Sequence, residues 1–175
     1  MELDKYLPEE LRVLPHSIEA EQAILGGLML NNDAWNDVVE KVSEQDFHRR
    51  DHQLIFRVLM QLAMEQQPQD LVTVSQALAT LGKLDDMGGA AYLAELSMNT
   101  PSAANILAYA DIVRERSILR QLIQISDRVA GRAYRPQGAT SAAILDEAEK
   151  QIFAIAEQQK KGKGPEAIKN LLTET

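Results

Sequence analysis

The amino-acid sequence predicts an all-α protein in which a compact multi-helix head is followed by a long antiparallel helical hairpin. Alanine and leucine dominate the chain together with Glu, Gln, Lys and Arg, the residue types with the highest helix propensities. Short alternating runs of Val, Ile and Thr between turns, which are typical of strands, are nearly absent. After Pro101, apolar residues recur at helical spacing as far as Tyr134 without another proline.

The N-terminal region is predicted to be a flexible arm followed by the first helix of the head. The arm comprises residues 1–16, because Pro8 and Pro15 interrupt any helix there. Ser17 is the expected N-cap of the first helix. Glycines at positions 26–27 lie inside this helix and indicate the close approach of another helix rather than contact with a ligand.

The head, residues 17–100, is predicted to contain four further short helices. In each of them apolar residues lie three or four positions apart, so that one face can be buried. Turn-forming residues separate the helices at positions 31–33, 67–70, 82 and 88–89. Five short helices with short connections predict a compact domain.

Residues 101–159 are predicted to form a helical hairpin that mediates dimerisation. Ser102 is the expected N-cap of the first arm, the turn at 135–138 ends that arm, and the second arm begins at Thr140 or Ser141. Residues at heptad-like spacing, all of them apolar except Ser126, predict the seam between the arms. They are Leu119, Leu122, Ser126, Val129 and Ala133 in the first arm and Leu145, Ala148, Ile152 and Ile155 in the second.

A second apolar set on the first arm lies off this seam and is expected to be exposed in an isolated hairpin. It consists of Ile118, Ile123 and Ile125. Contiguous exposed apolar surface marks an interaction site. We expect a second pair of helices to cover this set, and the alternative is that the hairpin folds back onto the head.

Residues 160–175 are predicted to be a linker that leads into a further helix. The linker is basic and glycine-rich, and Pro165 suits the first turn of the helix that follows it. Because the sequence stops at Thr175 without a helix stop signal, we expect the chain to be the front part of a longer protein.

Composition excludes several classes of protein. The chain has no cysteine, which rules out disulfides and cysteine-based zinc sites, and no apolar run reaches the roughly 18 residues of a membrane span. The N-terminus also lacks a signal-peptide pattern. The formal net charge is −8, whereas compact nucleic-acid-binding proteins are usually basic.

No catalytic, cofactor-binding or metal-binding residues are predicted. His48 and His52 have zinc-ligand spacing, but Arg49 stands where the metalloprotease pattern requires glutamate, so a solvated helix start is the preferred interpretation. Gly82 and Lys83 lack the other residues of a phosphate-binding loop. The hairpin arginines are expected on a solvated face, and single-stranded nucleic-acid binding through them is the alternative function.

Several sequence blocks, taken in order, resemble bacterial replicative DNA helicases of the DnaB type. The segment 17–26, with the sequence SIEAEQAILG, resembles the opening signature of that family. The further blocks are Asp46-Phe47 with 52–56, then 88–96, then 99–105 running into 109–113. The resemblance extends from about Leu14 to the end of the chain.

The resemblance implies that this chain is the N-terminal domain of such a helicase and is not an enzyme by itself. The ATP- and Mg-dependent motor domain would lie beyond Thr175, and single-stranded DNA would be bound only by the whole helicase. Hairpins of neighbouring subunits would pair, and the dimers would close into a three-fold collar on which the C-terminal domain of the primase docks. The implied location is the bacterial cytoplasm, without a membrane partner.

Two sets of candidate residues follow from the spacing and the resemblance together. For packing in the hairpin or its dimer, the candidates are Leu119, Leu122, Leu145, Ile152 and Ile155. For contact with the primase or its regulation, they are Glu19, Tyr92, Ile123 and Val129. Two alternatives stay open, namely that Tyr92 is a core residue with its hydroxyl at the surface and that Glu19 only stabilises a helix dipole.

Overall fold

The computed structural model describes residues 13–161, and over this range it confirms the predicted all-α fold. Most of the predicted arm (1–12) and most of the predicted linker with its helix (162–175) lie outside the described residues. The helices are α1 (Ile18–Leu30), α2 (Trp35–Val39), α3 (Arg50–Met64), α4 (Leu71–Thr80), α5 (Gly89–Met98), α6 (Ile106–Tyr134) and α7 (Ser141–Lys161).

Short polar side chains start the helices where the sequence predicts. Ser17, Asp70 and Thr140 begin α1, α4 and α7, and the side-chain oxygen of each accepts the backbone N–H of the third residue after it, at 2.9–3.3 Å. Ser102 caps a 3₁₀ turn (Ala103–Asn105) that runs directly into α6. The long helix itself begins at Ile106, so Ser102 starts the turn that leads into it and is not its N-cap as predicted.

Helix α1 is the centre of the head and packs against α3, α5 and α6. Its two glycines permit this packing, because a Cβ atom on Gly26 would lie 2.0 Å from Thr100 Oγ1 and 2.1 Å from the carbonyl oxygen of Leu96. The predicted close approach of another helix is confirmed. Apolar residues of the first turns of α6 also belong to the head core, namely Ile106, Ala110 and Val113.

Helices α3 and α4 end in the same left-handed turn, although only one of them has a glycine there. The turn residue is Gln66 (φ 56°) after α3 and Gly82 (φ 68°) after α4. In both turns the next N–H donates to the carbonyl five residues back, at 2.8 and 3.0 Å. A residue with a Cβ atom is strained in this conformation by about 1–2 kcal/mol.

We therefore expect opposite stability changes from two substitutions at these turns. Gln66→Gly should raise the free energy of unfolding by about 0.5 kcal/mol, since relief of strain outweighs the entropy of an added glycine. Gly82→Ala should lower it by about 1 kcal/mol, and no neighbouring atom lies within 4 Å of the added methyl group. Urea denaturation measures both changes, and a destabilised Gln66→Gly variant would contradict the prediction.

Of the helices within residues 13–161, none combines the length and the apolar character that crossing a membrane requires.

Candidate functional site

The two arms of the hairpin pack through a seam that shares Val129, Ala148 and Ile155 with the predicted one and is otherwise shifted by one residue. Ile118, Ile125 and Ile155 are buried together, with Val129 packed against them. The prediction that Ile118 and Ile125 remain exposed is therefore wrong. The observed seam, completed by half-buried residues, consists of Ile118, Gln121, Ile125 and Val129 on α6 and Ile144, Ala148, Gln151 and Ile155 on α7.

A second apolar surface lies beside this seam, and four of the predicted packing residues form it. Each of the four directly follows a seam residue in sequence, so its side chain is rotated about 100° around the helix axis away from the seam. In two antiparallel helices that face each other, such residues fall on the same side of the hairpin. We call this surface the apolar face, and it consists of Leu119, Leu122, Leu145 and Ile152.

The apolar face is largely open to solvent. Leu119 is half-buried, whereas Leu122, Leu145 and Ile152 are 38%, 69% and 51% exposed. Ile123 lies at its border and is exposed as predicted. The hairpin does not fold back to cover these side chains. A single copy of the chain thus leaves these apolar side chains unpaired, on a face that Ser126 and Glu149 interrupt.

The opposite side of the hairpin is polar and carries the head. The residues that precede the seam define this polar side, among them Ser117, Arg120 and Gln124. Ser117 Oγ donates to Asp46 Oδ1 at 2.7 Å, and Arg120 donates to the carbonyl oxygens of Pro15 and Asp46 at 2.7 and 2.6 Å. Arg120 is only 8% exposed, so the expectation of a solvated arginine face is wrong for this residue.

Asp46 ties the head to both arms of the hairpin. Its buried carboxylate accepts the backbone N–H of Ser43 at 2.8 Å, the Ser117 hydroxyl, and Arg114 Nη1 at 3.4 Å. Arg114 Nη2 in turn donates to the carbonyl oxygen of Gln158, in the last turn of α7. This junction fixes the direction of the hairpin relative to the head.

Residues 14–16 of the predicted arm are held against the head. Besides the bond from Arg120 to Pro15, His16 stacks on His48 with ring centroids 4.6 Å apart and planes 11° from parallel. The pKa of His48 is lowered, first because burial disfavours its charged form and then because Arg120 and His16 repel a proton. The end of the predicted arm is therefore part of the folded head.

A buried polar network occupies the centre of the head. Glu21 Oε1 accepts the backbone N–H groups of His48 and Arg49 at 2.9 and 3.3 Å and contacts His52 Nδ1 at 3.1 Å. The other ring nitrogen of His52, Nε2, lies 2.6 Å from the Tyr92 hydroxyl. In the tautomer that satisfies both contacts, His52 donates its Nδ1–H to Glu21, and the Tyr92 hydroxyl donates to His52 Nε2. The network joins α1, α3 and α5.

This network corrects the interpretation of the two histidines. Helix α3 begins at Arg50, so His48 precedes it and does not share a helical face with His52. His52 is completely buried rather than part of a solvated helix start. Both of its ring nitrogens are engaged, by Glu21 and by Tyr92. Its role is structural.

The candidate residues of the head differ in their surroundings. Tyr92 is half-buried, with its hydroxyl towards His52 and the Arg49 guanidinium 5.4 Å from its ring centroid. Burial raises the pKa of Tyr92. The alternative with its hydroxyl at the surface is therefore wrong. Glu19 is exposed in the first turn of α1, where a carboxylate interacts favourably with the helix dipole.

Sequence reasoning missed Glu21, Asp46 and Arg120 as key polar residues. For Glu21 a signal was present, because it lies three and seven positions before Ile24 and Leu28 on the apolar stripe of α1. An acidic residue in such a stripe indicates a buried, partnered carboxylate. Asp46 has one local partner, the Ser43 N–H, but its partners Arg114 and Ser117 and the partners of Arg120 are more than 60 residues away in sequence, so local patterns could not reveal them.

The sequence matches the family model of DnaB-like helicase N-terminal domains over residues 13–115. It is 50% identical over 167 residues to the replicative DNA helicase DnaB of Haemophilus influenzae and 51% identical over 165 residues to that of Buchnera aphidicola subsp. Baizongia pistaciae. These alignments cover 95% and 94% of this chain but 36% of each relative. The chain therefore spans about a third of the length of the curated relatives it matches.

Solved structures share the fold. The N-terminal domain of DnaB helicase from Mycobacterium tuberculosis superposes with a TM-score of 0.78 at 38% identity, covering 81% of this chain and 99% of that one. A structure of a DnaB-like replicative helicase and its interactions with primase has a TM-score of 0.65 at 22% identity, covering 79% of this chain and 31% of that one. At 22% identity, the second structure shows only that the fold is shared.

Proposed function

The chain belongs to the DnaB-like helicase N-terminal domain family, and on that premise we propose that it forms the assembly collar of a replicative DNA helicase. The apolar face of the hairpin is the observation that carries this proposal. Paired with the apolar face of a second copy, it would complete an antiparallel four-helix packing. Dimers formed in this way would then close into a hexamer as a trimer of dimers.

We also propose that the collar docks the C-terminal domain of the primase. Support comes from the family membership and from the solved structure of a DnaB-like helicase described with primase. Glu19, Tyr92, Ile123 and Val129 remain the candidate residues. ATP hydrolysis, binding of single-stranded DNA and a cytoplasmic location are proposed for the whole helicase rather than for this chain.

Nucleic-acid binding by the isolated chain is less favoured. Arg114 and Arg120 are engaged at the junction with the head, and Arg132 lies 3.9 Å from Glu147 across the hairpin. The net charge of −8 would also repel a phosphate backbone. The geometry thus supports protein–protein assembly.

Two measurements on the purified chain test the proposed function. Size-exclusion chromatography with light scattering should give a dimer or larger assembly at high protein concentration. Titration with the C-terminal domain of the primase should show saturable binding, whereas the chain alone should not hydrolyse ATP. A monomer at every concentration would contradict the collar, and absence of primase binding to an assembled chain would contradict the docking proposal.

A further inference from the structure

The residues just before α1 are held against the head by contacts of ionisable side chains. The imidazole rings of His16 and His48 are stacked, with centroids 4.6 Å apart and planes 11° from parallel. Arg120 Nη1 donates to the carbonyl oxygen of Pro15 at 2.7 Å, and His16 Nδ1 lies 2.7 Å from the carbonyl oxygen of Leu14. We call this arrangement of residues 14–16 with His48 and Arg120 the clasp. It joins residues 14–16 to the segment before α3 and to α6.

The clasp suits two neutral histidines. A neutral His16 with its proton on Nδ1 donates to the Leu14 carbonyl oxygen, and two uncharged rings stack without electrostatic repulsion. Two protonated rings at the same separation repel each other. The guanidinium group of Arg120, which is always charged, adds a third positive charge beside them. The closed clasp therefore disfavours a proton on either ring and opposes two protons most strongly.

Carboxylates on the neighbouring elements do not offset these positive charges, because they have donors of their own. Glu21 on α1 accepts three donors, and the Asp46 carboxylate, in the 3₁₀ turn before α3, is satisfied by the partners described above. Asp51 on α3 is paired with the arginine two positions before it. Burial, followed by Arg120 and the ring stacked on it, lowers the pKa of His48, and the smaller effect of Glu21 raises it.

We propose that the stacked histidines make the clasp proton-sensitive, so that it holds residues 14–16 on the head when both rings are neutral and releases them when both are protonated. The open form binds more protons than the closed form, so closing becomes more favourable as the pH rises. A freed histidine titrates near its ordinary pKa of 6.5. Release is therefore expected as the pH falls from about 7 to about 5.

Opening of the clasp is local, because the bonds that hold the head together do not use the two rings. His48 is bound to Glu21 through its backbone N–H, and Arg120 keeps its second bond, to the carbonyl oxygen of Asp46. The bond from Arg120 to Pro15 is the one that release breaks. Protonation of the rings thus changes the surroundings of a buried arginine on α6, beside the junction that fixes the hairpin.

Spin labelling tests the clasp on the whole chain, which has no native cysteine. A nitroxide on Val13→Cys, at a 77% exposed position one residue before the clasp, reports the mobility of this segment. The ratio of mobile to immobile label should increase about tenfold or more between about pH 7.5 and about pH 5. The same label on Val72→Cys, 70% exposed on α4, is the matched control and should not change, because α4 takes no part in the clasp.

His16→Phe and His48→Phe separate the proposed titration from other effects of acid. Each variant keeps a flat ring for the stack but removes one of the two protonation sites. An imidazolium group on the face of a phenyl ring is attracted instead of repelled. The label at position 13 should therefore stay immobile at about pH 5 in both variants, with the helix content unchanged by circular dichroism.

Nuclear magnetic resonance of selectively labelled histidines gives an independent measurement, because the chain contains only three of them. In the native chain the ring signals of His16 and His48 should change together with the mobility of the label. In His16→Phe the pKa of His48 should rise, because the neighbour that can carry a positive charge is gone. A native chain whose label stays immobile at about pH 5, or a pH response that persists in both phenylalanine variants, would overturn the proposal.

Discussion

Leu145→Asp is expected to convert the self-associated chain into a monomer without loss of helix content. Leu145 is 69% exposed in a single copy, so the folded monomer does not depend on its side chain. In the proposed pairing of hairpins the same side chain is buried once in each copy. The substitution removes about 1.5 kcal/mol or more of apolar burial per copy. It also places a carboxylate in an apolar contact.

The resulting loss is therefore about 3 kcal/mol or more per dimer, which corresponds to about a 100-fold or larger increase in the dissociation constant. Ile152→Asp should act in the same way, because Ile152 lies on the same face one heptad further along α7. Sedimentation equilibrium over a range of concentrations measures the change. Leu145 is a better test position than the half-buried Leu119, whose replacement would also disturb the hairpin itself.

Ala154→Asp provides the control for these variants. Ala154 is exposed on α7 and directly precedes the seam residue Ile155, so it lies on the polar side of the hairpin. The same carboxylate introduced there should leave the association constant unchanged within about twofold, because exposed charges interact weakly. Equal effects of Leu145→Asp and Ala154→Asp would show that the apolar face is not the assembly surface.

The hairpin shows what periodicity can and cannot determine. The spacing of apolar residues correctly predicts two long helices, although α6 begins at Ile106 rather than after Ser102 and α7 continues to Lys161 rather than ending at 159. It does not determine which of two adjacent stripes faces the other arm, because Ile118 and Leu119 are both apolar, as are Ile144 and Leu145. At Gln121 and Gln151 the buried stripe even carries the polar residue of the pair. Sequence reasoning therefore placed Val129, Ala148 and Ile155 correctly in the seam but elsewhere chose the neighbouring stripe, one residue away from the true seam.

In the head, the burial of polar side chains was harder to predict from the sequence than the positions of the helices. N-caps, turns and glycines act within a few residues, so Ser17, Asp70 and Gly82 could be interpreted locally. The partners of Glu21 and Arg120 come from distant parts of the chain, and only the tertiary fold brings them together. Glu19 and Glu21 stand in the same first turn of α1, yet one is exposed and the other is buried, and only the position of Glu21 on the apolar stripe distinguishes them in sequence.

Because Glu21 is buried and Glu19 is exposed, we expect their removal to change the stability of the head by different amounts. Glu21→Ala should lower the free energy of unfolding by about 3–5 kcal/mol, because it leaves three donors, one of them completely buried, without an acceptor. These are the backbone N–H groups of His48 and Arg49 and the Nδ1–H of His52. For a domain of this size the loss corresponds to a decrease of about 10 °C in Tm.

Glu19→Ala is the matched control, with the same charge change two residues away in the same first turn of α1. Because Glu19 is exposed, its removal should cost only the dipole interaction, about 0.3–1 kcal/mol. Both variants lower the net negative charge equally, so a general electrostatic effect cannot distinguish them. Thermal unfolding followed by circular dichroism at neutral pH measures the difference. If the two variants lost equal stability, Glu21 would not be the buried acceptor that joins α1 to His52 and to the backbone N–H groups of His48 and Arg49.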